Sequence, residues 1–281
     1  MKDLIIGACT NYDWDKLKFW VNSINKSGFD GDKVMVAFNI SFETIDKLTK
    51  AGFQVILPGK KDEANNQFVY QSNLPIHVER FIHIYNYLQT HDEYRYVITT
   101  DVKDVIFQHN PSKALDIELG ARQLYIFASE SMFYKDEPWG NQNLIETFGP
   151  FFHNIFKENE IYNVGVLAGR GHAMRDLILN IFVATQGKPI PICDQSTFNF
   201  MISMSPYRET SVYLRSEDAW AAQLGTTADP SKVDSFKPFL LEPQPIMDNS
   251  VITTSAKEPF TIVHQYDRVP YWRNVIEAKY G

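Results

Sequence analysis

The chain has 281 residues, 44 % of them hydrophobic and 22 % charged, the composition of a globular protein large enough for one sizeable core and unlike that of a disordered or fibrous chain. A net charge of −7 and a pI near 5.5 speak against a nucleic-acid binder, which presents a basic face; a phosphate-bearing small ligand stays open, because a divalent cation can bridge it to carboxylates. The two cysteines, Cys9 and Cys193, imply no disulfide framework and fit a reducing compartment, Met1-Lys2-Asp3 starts no signal-peptide pattern, and no apolar run approaches the about 20 residues of a membrane span.

Along the first half, apolar runs alternate with amphipathic stretches. Residues 4–9 form an apolar run of strand length. Trp14, Leu17, Trp20, Val21 and Ile24 recur at helical spacing, with Gly28 placed to close that helix. Residues 34–38 read as a second strand. Ser41 suits an N-cap for a helix that turns Phe42, Ile45 and Leu48 to one side and ends before Gly52. Residues 53–57 give a third strand, and the polar stretch 58–73 reads as a loop. Pro75 opens a helix with Phe81, Ile84, Tyr85 and Leu88 facing inward. Residues 94–100 and 124–128 make the fourth and fifth strands. This order predicts an α/β protein with a mostly parallel central sheet flanked by helices on both faces. From Ser129 the pattern turns irregular, with Trp139, Gly140 and Pro150 marking turns. Helices are then predicted over 172–186 and 194–204, and a short strand over 261–265. With no repeat, low-complexity tract or linker, residues 1–281 are expected to form a single domain.

The segment Tyr96-Val97-Ile98-Thr99-Thr100-Asp101-Val102-Lys103-Asp104-Val105-Ile106-Phe107 carries the most chemistry. An apolar strand runs directly into two acids, and in open α/β sheets ligands bind beyond the carboxyl ends of strands. Asp101 and Asp104 in one turn can share a hard cation that holds a diphosphate, or Asp101 can cap the turn while Asp104 is solvated. In Tyr162-Asn163-Val164-Gly165-Val166, Asn163 and Gly165 suggest a bend that presents a backbone and a side-chain amide, or an ordinary turn before a strand. Asp194, heading a helix after Pro189-Ile190-Pro191-Ile192-Cys193, is a candidate acid and equally a helix N-cap. His264 ends a short apolar strand and is either structural or a metal ligand. Glu130, just past the fifth strand, is a second candidate acid, and Trp139 offers either an aromatic platform or core packing.

Taken in order, these segments resemble the glycosyltransferases of the GT-A fold, in particular family 8 and related nucleotide-sugar transferases. The stretch from Thr100 to Gln108 is similar to their Thr-Asp-x-Arg-Asp-Val-x-Phe-Gln variants of the Asp-x-Asp motif, with Lys103 standing where a strict motif has its second aspartate. Asn163-Val164-Gly165, Asp194-Gln195 and His264 follow in the family's order. The resemblance implies a Rossmann-like single domain whose residues 1–128 bind the nucleotide-sugar and whose residues 129–281 bind the acceptor. It implies a hexosyl- or pentosyltransferase acting from a nucleoside-diphosphate sugar, a UDP-sugar first, onto a glycan or other hydroxyl. Asp101, Asp104 and His264 would hold Mn²⁺ or Mg²⁺. Thr10, Asn11, Tyr12, Arg80 and Asp101 would meet the donor, and Trp139, Asn163 and Gln195 the acceptor. Asp194 or Glu130 would act on the acceptor hydroxyl. Because secretory-pathway sugar transferases usually carry an anchor, a cytoplasmic protein of bacterial or viral origin is expected. A sugar-nucleotidyltransferase is the competing enzyme class, but its glycine-rich, arginine-containing loop is missing from Gly7-Ala8-Cys9-Thr10-Asn11-Tyr12. A haloacid-type phosphatase would need paired aspartates after the first strand, where there are none. A non-catalytic nucleotide-sugar-binding relative is the remaining alternative.

Overall fold

The first predicted strand forms as β1 (Leu4–Thr10), and its side chains alternate between two cores, Ile5 and Cys9 on one side, Leu4 and Ile6 on the other. A sheet so buried on both faces needs helices on each. In the computed structural model, which describes residues 1–281, α1 (Trp14–Lys26) lays Leu17, Trp20, Val21 and Ile24 on the first face. Next come β2 (Asp32–Phe38), α2 (Phe42–Lys50) and β3 (Gln54–Ile56). Ser41 caps α2 by accepting a hydrogen bond from the Thr44 N–H. Gly28 and Gly52 have φ of 81° and 88°, the left-handed conformation that ends a helix at little cost to glycine. α3 (Ile76–Gln89) covers the second face with Phe81, Ile84 and Leu88.

β4 (Tyr96–Thr100) pairs parallel to β1 on the side away from β2. The chain therefore reverses its direction of progress across the sheet between these two strands. This is the switch point at which ligands collect beyond the strand ends. The turn after β4 sits tightly on β1, since a Cβ on Gly7 would lie 2.3 Å from Val102 Cγ1. β5 (Val105–Phe107) then leaves the main sheet.

The second half departs more from the sequence expectation. The fifth strand, β6 (Tyr125–Phe133), runs five residues beyond Ala128 and contains Glu130 within it. Trp139, Gly140 and Pro150 do not mark loops but belong to α4 (Pro138–Phe156), a helix broken at Gly149. Residues 160–170 form β7 (Glu160–Arg170), so Asn163 and Gly165 lie in a strand with irregular register against β6 rather than in a turn before one. α5 (Gly171–Thr185) and α6 (Asp194–Ile202) follow, then β8 (Ser211–Leu214).

The seven-stranded sheet has the order β8-β6-β7-β4-β1-β2-β3, and all its pairings are parallel except those of β7 with β4 and β6. The stretch 58–73 is not all loop: Lys60–Asp62 and Gln67–Val69 form a hairpin that pairs with Ile40–Ser41. A second small sheet joins β9 (Ala221–Gln223), β10 (Ile262–His264) and β5. Its outer face packs under α7 (Pro270–Tyr280) through Ile276 and Tyr280. The whole is a mostly parallel α/β sheet in a single domain, and no helix is long and apolar enough to cross a membrane.

Candidate active site

At the carboxyl ends of β1 and β4 the surface opens into a cleft of about 660 Å³. It is lined by eleven of the twelve residues the sequence had marked, namely Thr10, Tyr12, Arg80, Asp101, Asp104, Glu130, Trp139, Asn163, Asp194, Gln195 and His264. The exception is Asn11, which takes φ 55° and turns its N–H to the backbone carbonyls of Phe38 and Asn39, away from the cleft wall.

Asp101 follows β4 directly, and its N–H donates to the Gly165 carbonyl at 2.8 Å, which fixes it against β7. Thr100 beneath it accepts from the Trp20 indole N–H at 2.9 Å. Asp104 begins the return toward β5, and the antiparallel pairing of β5 with β10 brings His264 opposite Val105. His264 Nε2 lies 3.6 Å from Asp101 Oδ2 and 3.7 Å from Asp104 Oδ1. Ligand atoms of all three residues fall within 4.8 Å of one another. Two carboxylates and one imidazole nitrogen suit Mn²⁺, and Mg²⁺ less well because of the nitrogen. The ring is held from behind, since Nδ1 donates to Gln223 Oε1 at 2.7 Å and Nε2 is thereby directed at the acids. Gly165 lacks a side chain for a visible reason: a Cβ there would lie 2.7 Å from the His264 ring and 3.0 Å from Asp101 Oδ2.

Arg80 reaches from α3 into the same space. It pairs with Asp101 and, through Nη2, with Asp194 Oδ2 at 3.3 Å. Burial opposes the charge on Asp101, but Arg80 and then His264 outweigh it and hold that carboxyl well below the usual range. Burial dominates at Asp104 and Asp194 and pushes both upward. His264 is pulled down by burial, yet Asp104 and Asp101 raise it above its ordinary value.

Asp194 is not the helix cap that its position suggested. Cys193 occupies the cap position without a side-chain bond, and Asp194 is the first helical residue, with its carboxylate on Arg80. Glu130 is buried, and its Oε1 accepts from both Asn163 Nδ2 at 2.7 Å and Gln195 Nε2 at 2.6 Å. Burial first, then the neighbouring Glu137, pushes its carboxyl upward. Trp139 is 51 % exposed at the mouth, so it is not a core residue. Tyr12 is half-buried and also lines the cleft.

Several cleft residues escaped the sequence reading. His77 lines the cleft one turn before Arg80, a position that the i, i+3 spacing of helix neighbours would have flagged. Arg268, 4.0 Å from Asp104, stands beside the acid cluster, next to Lys103, which the motif had already marked and which pairs with Asp267 at 3.4 Å. Gln223 carries no sequence signal at all, being a buried glutamine ending an Ala-Ala-Gln strand. Conversely, Gln108, the last residue of the motif, is a clamp: its amide bonds the backbone of Ile252 and Phe260 at 2.8–2.9 Å and never reaches the cleft.

This architecture is a glycosyltransferase fold. Two solved structures of the glycosyltransferase GlyE from Streptococcus pneumoniae TIGR4 superpose on 94 % of the chain, with TM-scores of 0.54 for the apo form and 0.52 for the other, both at 15 % identity. The chain spans about half of their length, 54 % and 55 % respectively. At that identity the likeness is one of fold. No protein-family model and no curated protein matches the sequence.

Proposed function

We propose that this protein is a glycosyltransferase that moves a sugar from a nucleoside-diphosphate sugar, a UDP-sugar first, to a hydroxyl of a glycan or other acceptor. The observation that carries this is the meeting of Asp101, Asp104 and His264 with Arg80 and Asp194 in one cleft, at the switch point of a glycosyltransferase fold. Residues 1–128 would hold most of the donor, with Thr10 and Tyr12 at the nucleotide and Arg80 and Asp101 nearer the diphosphate. Residues 129–281 would hold the acceptor against Trp139, Asn163 and Gln195.

A divalent cation held by Asp101, Asp104 and His264 would offset the charge of the diphosphate leaving group. Arg80 already bridges the donor-side and acceptor-side acids, so it would fix the sugar between them. Glu130 locks the amides of Asn163 and Gln195 in one orientation, which makes them a rigid wall for sugar hydroxyls. Asp194 would orient the acceptor hydroxyl and receive its proton. Both stereochemical courses fit this set.

Calorimetry with UDP, GDP and CMP, each with and without Mn²⁺, tests the reading. One diphosphate nucleotide should bind, and at about 100 times its Kd it should stabilise the fold by about 2.7 kcal/mol. Asp101→Asn should remove the Mn²⁺-dependent part of that affinity. Absence of binding by every nucleoside diphosphate would sink the donor site, and full binding in the presence of chelator would move the charge-balancing role to Lys103 and Arg268.

A further inference from the structure

An apolar track leaves the cleft at its acceptor side. Trp139 and Ile192 stand at the mouth, lining the cleft while half in solvent. From Ile192 the chain runs back through Pro191, Ile190 and Pro189, partly or fully exposed, to Lys188. Lys188 Nζ lies 3.9 Å from the Phe148 ring centroid, and Phe148 packs in turn against Phe152 in a tilted pair with centroids 6.0 Å apart. The segment is fixed to α4 where Asn143 Nδ2 donates to the Ile192 carbonyl at 2.7 Å. Beyond Phe148 the helix breaks. Gly149 takes φ 78° and ψ 170°, Pro150 follows, and the last turns present Phe151 (72 % exposed) and Ile155 (57 % exposed) to solvent. Single exposed apolar residues need no explanation, but two groups of them joined only through the stem of Lys188 mark a binding surface.

We infer that this track takes the apolar chain of an amphiphilic acceptor, an alkyl- or prenyl-linked saccharide or alcohol whose hydroxyl enters the cleft. The inference rests on the transferase reading given above. Three features favour such a chain over other occupants. The track begins at Trp139 and Ile192, which line the cleft on the proposed acceptor side, so a group attached to the reacting molecule can leave across it. Between the mouth and Lys188 the backbone offers few donors, since Pro189 and Pro191 have no N–H, and a sugar chain laid there would lose polar contacts. A second copy of the protein needs about 800 Å² of its own surface in contact, more than a narrow line of side chains at the cleft mouth supplies.

The probe is dodecyl maltoside below its micelle concentration, compared with maltose, on protein carrying ¹³C-methyl isoleucine. Ile155, Ile190 and Ile192 should shift saturably with the detergent and stay still with maltose. A Phe151→Ser/Phe152→Ser variant, melting like the parent, should weaken the apparent affinity about tenfold; Ile192→Ser serves if the double variant does not fold. Three results would overturn the inference: no saturable shift, shifts unchanged in the variants, or a dimer in sedimentation that the double variant dissolves. UDP titration of the same sample separates the two claims. Detergent shifts without UDP binding would leave an apolar-chain site in a protein that is not the proposed transferase. UDP binding without detergent shifts would remove the track alone.

Discussion

Arg80 sets the charge balance of the cleft: one guanidinium serves Asp101 on the first half and Asp194 on the second. Such a bridge leaves Asp194 poised without making its charge favourable, because burial pushes its carboxyl upward against the pull of Arg80. Neutralising it should therefore cost the fold little while removing the group that would accept a proton. Asp194→Asn keeps the shape of the side chain, and it is expected to lower turnover by about 10²–10⁴-fold with UDP affinity and melting temperature close to the parent's. Steady-state kinetics beside calorimetry reads both. Turnover near the parent's would leave Glu130, whose carboxylate accepts from the Asn163 and Gln195 side-chain amides, as the acid to examine. At this scale the sequence was informative where a charged residue ended an apolar strand, as with Asp101 and His264. It was silent on Gln223, because a neutral residue that fixes a histidine ring from behind leaves no pattern in the chain. The capping reading of Asp194 failed because the cap position falls one residue earlier, a shift within the ordinary uncertainty of helix ends.

Among the elements, α4 and β7 are the ones the sequence concealed, and for opposite reasons. α4 contains Pro138, Gly140, Gly149 and Pro150, residues that punctuate loops. The fold uses Pro138 in the first turn, where its missing N–H costs nothing, and spends Gly149-Pro150 on a break. β7 contains Asn163 and two glycines, poor strand formers, and its pairing with β6 slips twice. Asn163 and Gly165 sit in the slipped stretch, so the feature that hid the strand is also the one that sets both residues in the cleft wall. The break in α4 makes a clean test of backbone strain. A Cβ on Gly149 would meet nothing within 4 Å, yet φ 78° with ψ 170° is a region nearly closed to other residues. Gly149→Ala is expected to lower stability by about 1–3 kcal/mol through the backbone alone. Urea denaturation measures it, and an unchanged midpoint would mean that the helix straightens without loss.

For the molecule as a whole, periodicity revealed that strands and helices alternate, but not that β7 enters the sheet antiparallel between β4 and β6, since nothing local records which strand a distant segment joins. What ties the distant parts at the amino end of the sheet is electrostatic. Arg95, just before β4, grips Asp3, just before β1, with two bonds of 2.9 and 2.7 Å, and reaches Asp116 of the helix Pro111–Glu118 at 2.8 Å. Burial works against the Asp3 charge, but the hydrogen bonds and charge of Arg95 outweigh it, so its pKa in the folded protein lies below the ordinary 3.8. A carboxyl depressed on folding stabilises the native state at every pH above its unfolded value, and that contribution disappears as the pH falls through the folded one. The contribution of this pair to the denaturation midpoint should therefore hold steady from neutral pH down to about 5 and be lost below about 4. In Arg95→Met the neutral-pH stability should fall by about 1–2 kcal/mol. The acid drop should be shallower as well, because Asp3 then ionises in the folded chain no more readily than in the unfolded one. Equal acid slopes in parent and variant would mean that the loss of stability in acid arises elsewhere, and that this triad holds the strands only by its neutral hydrogen-bond geometry.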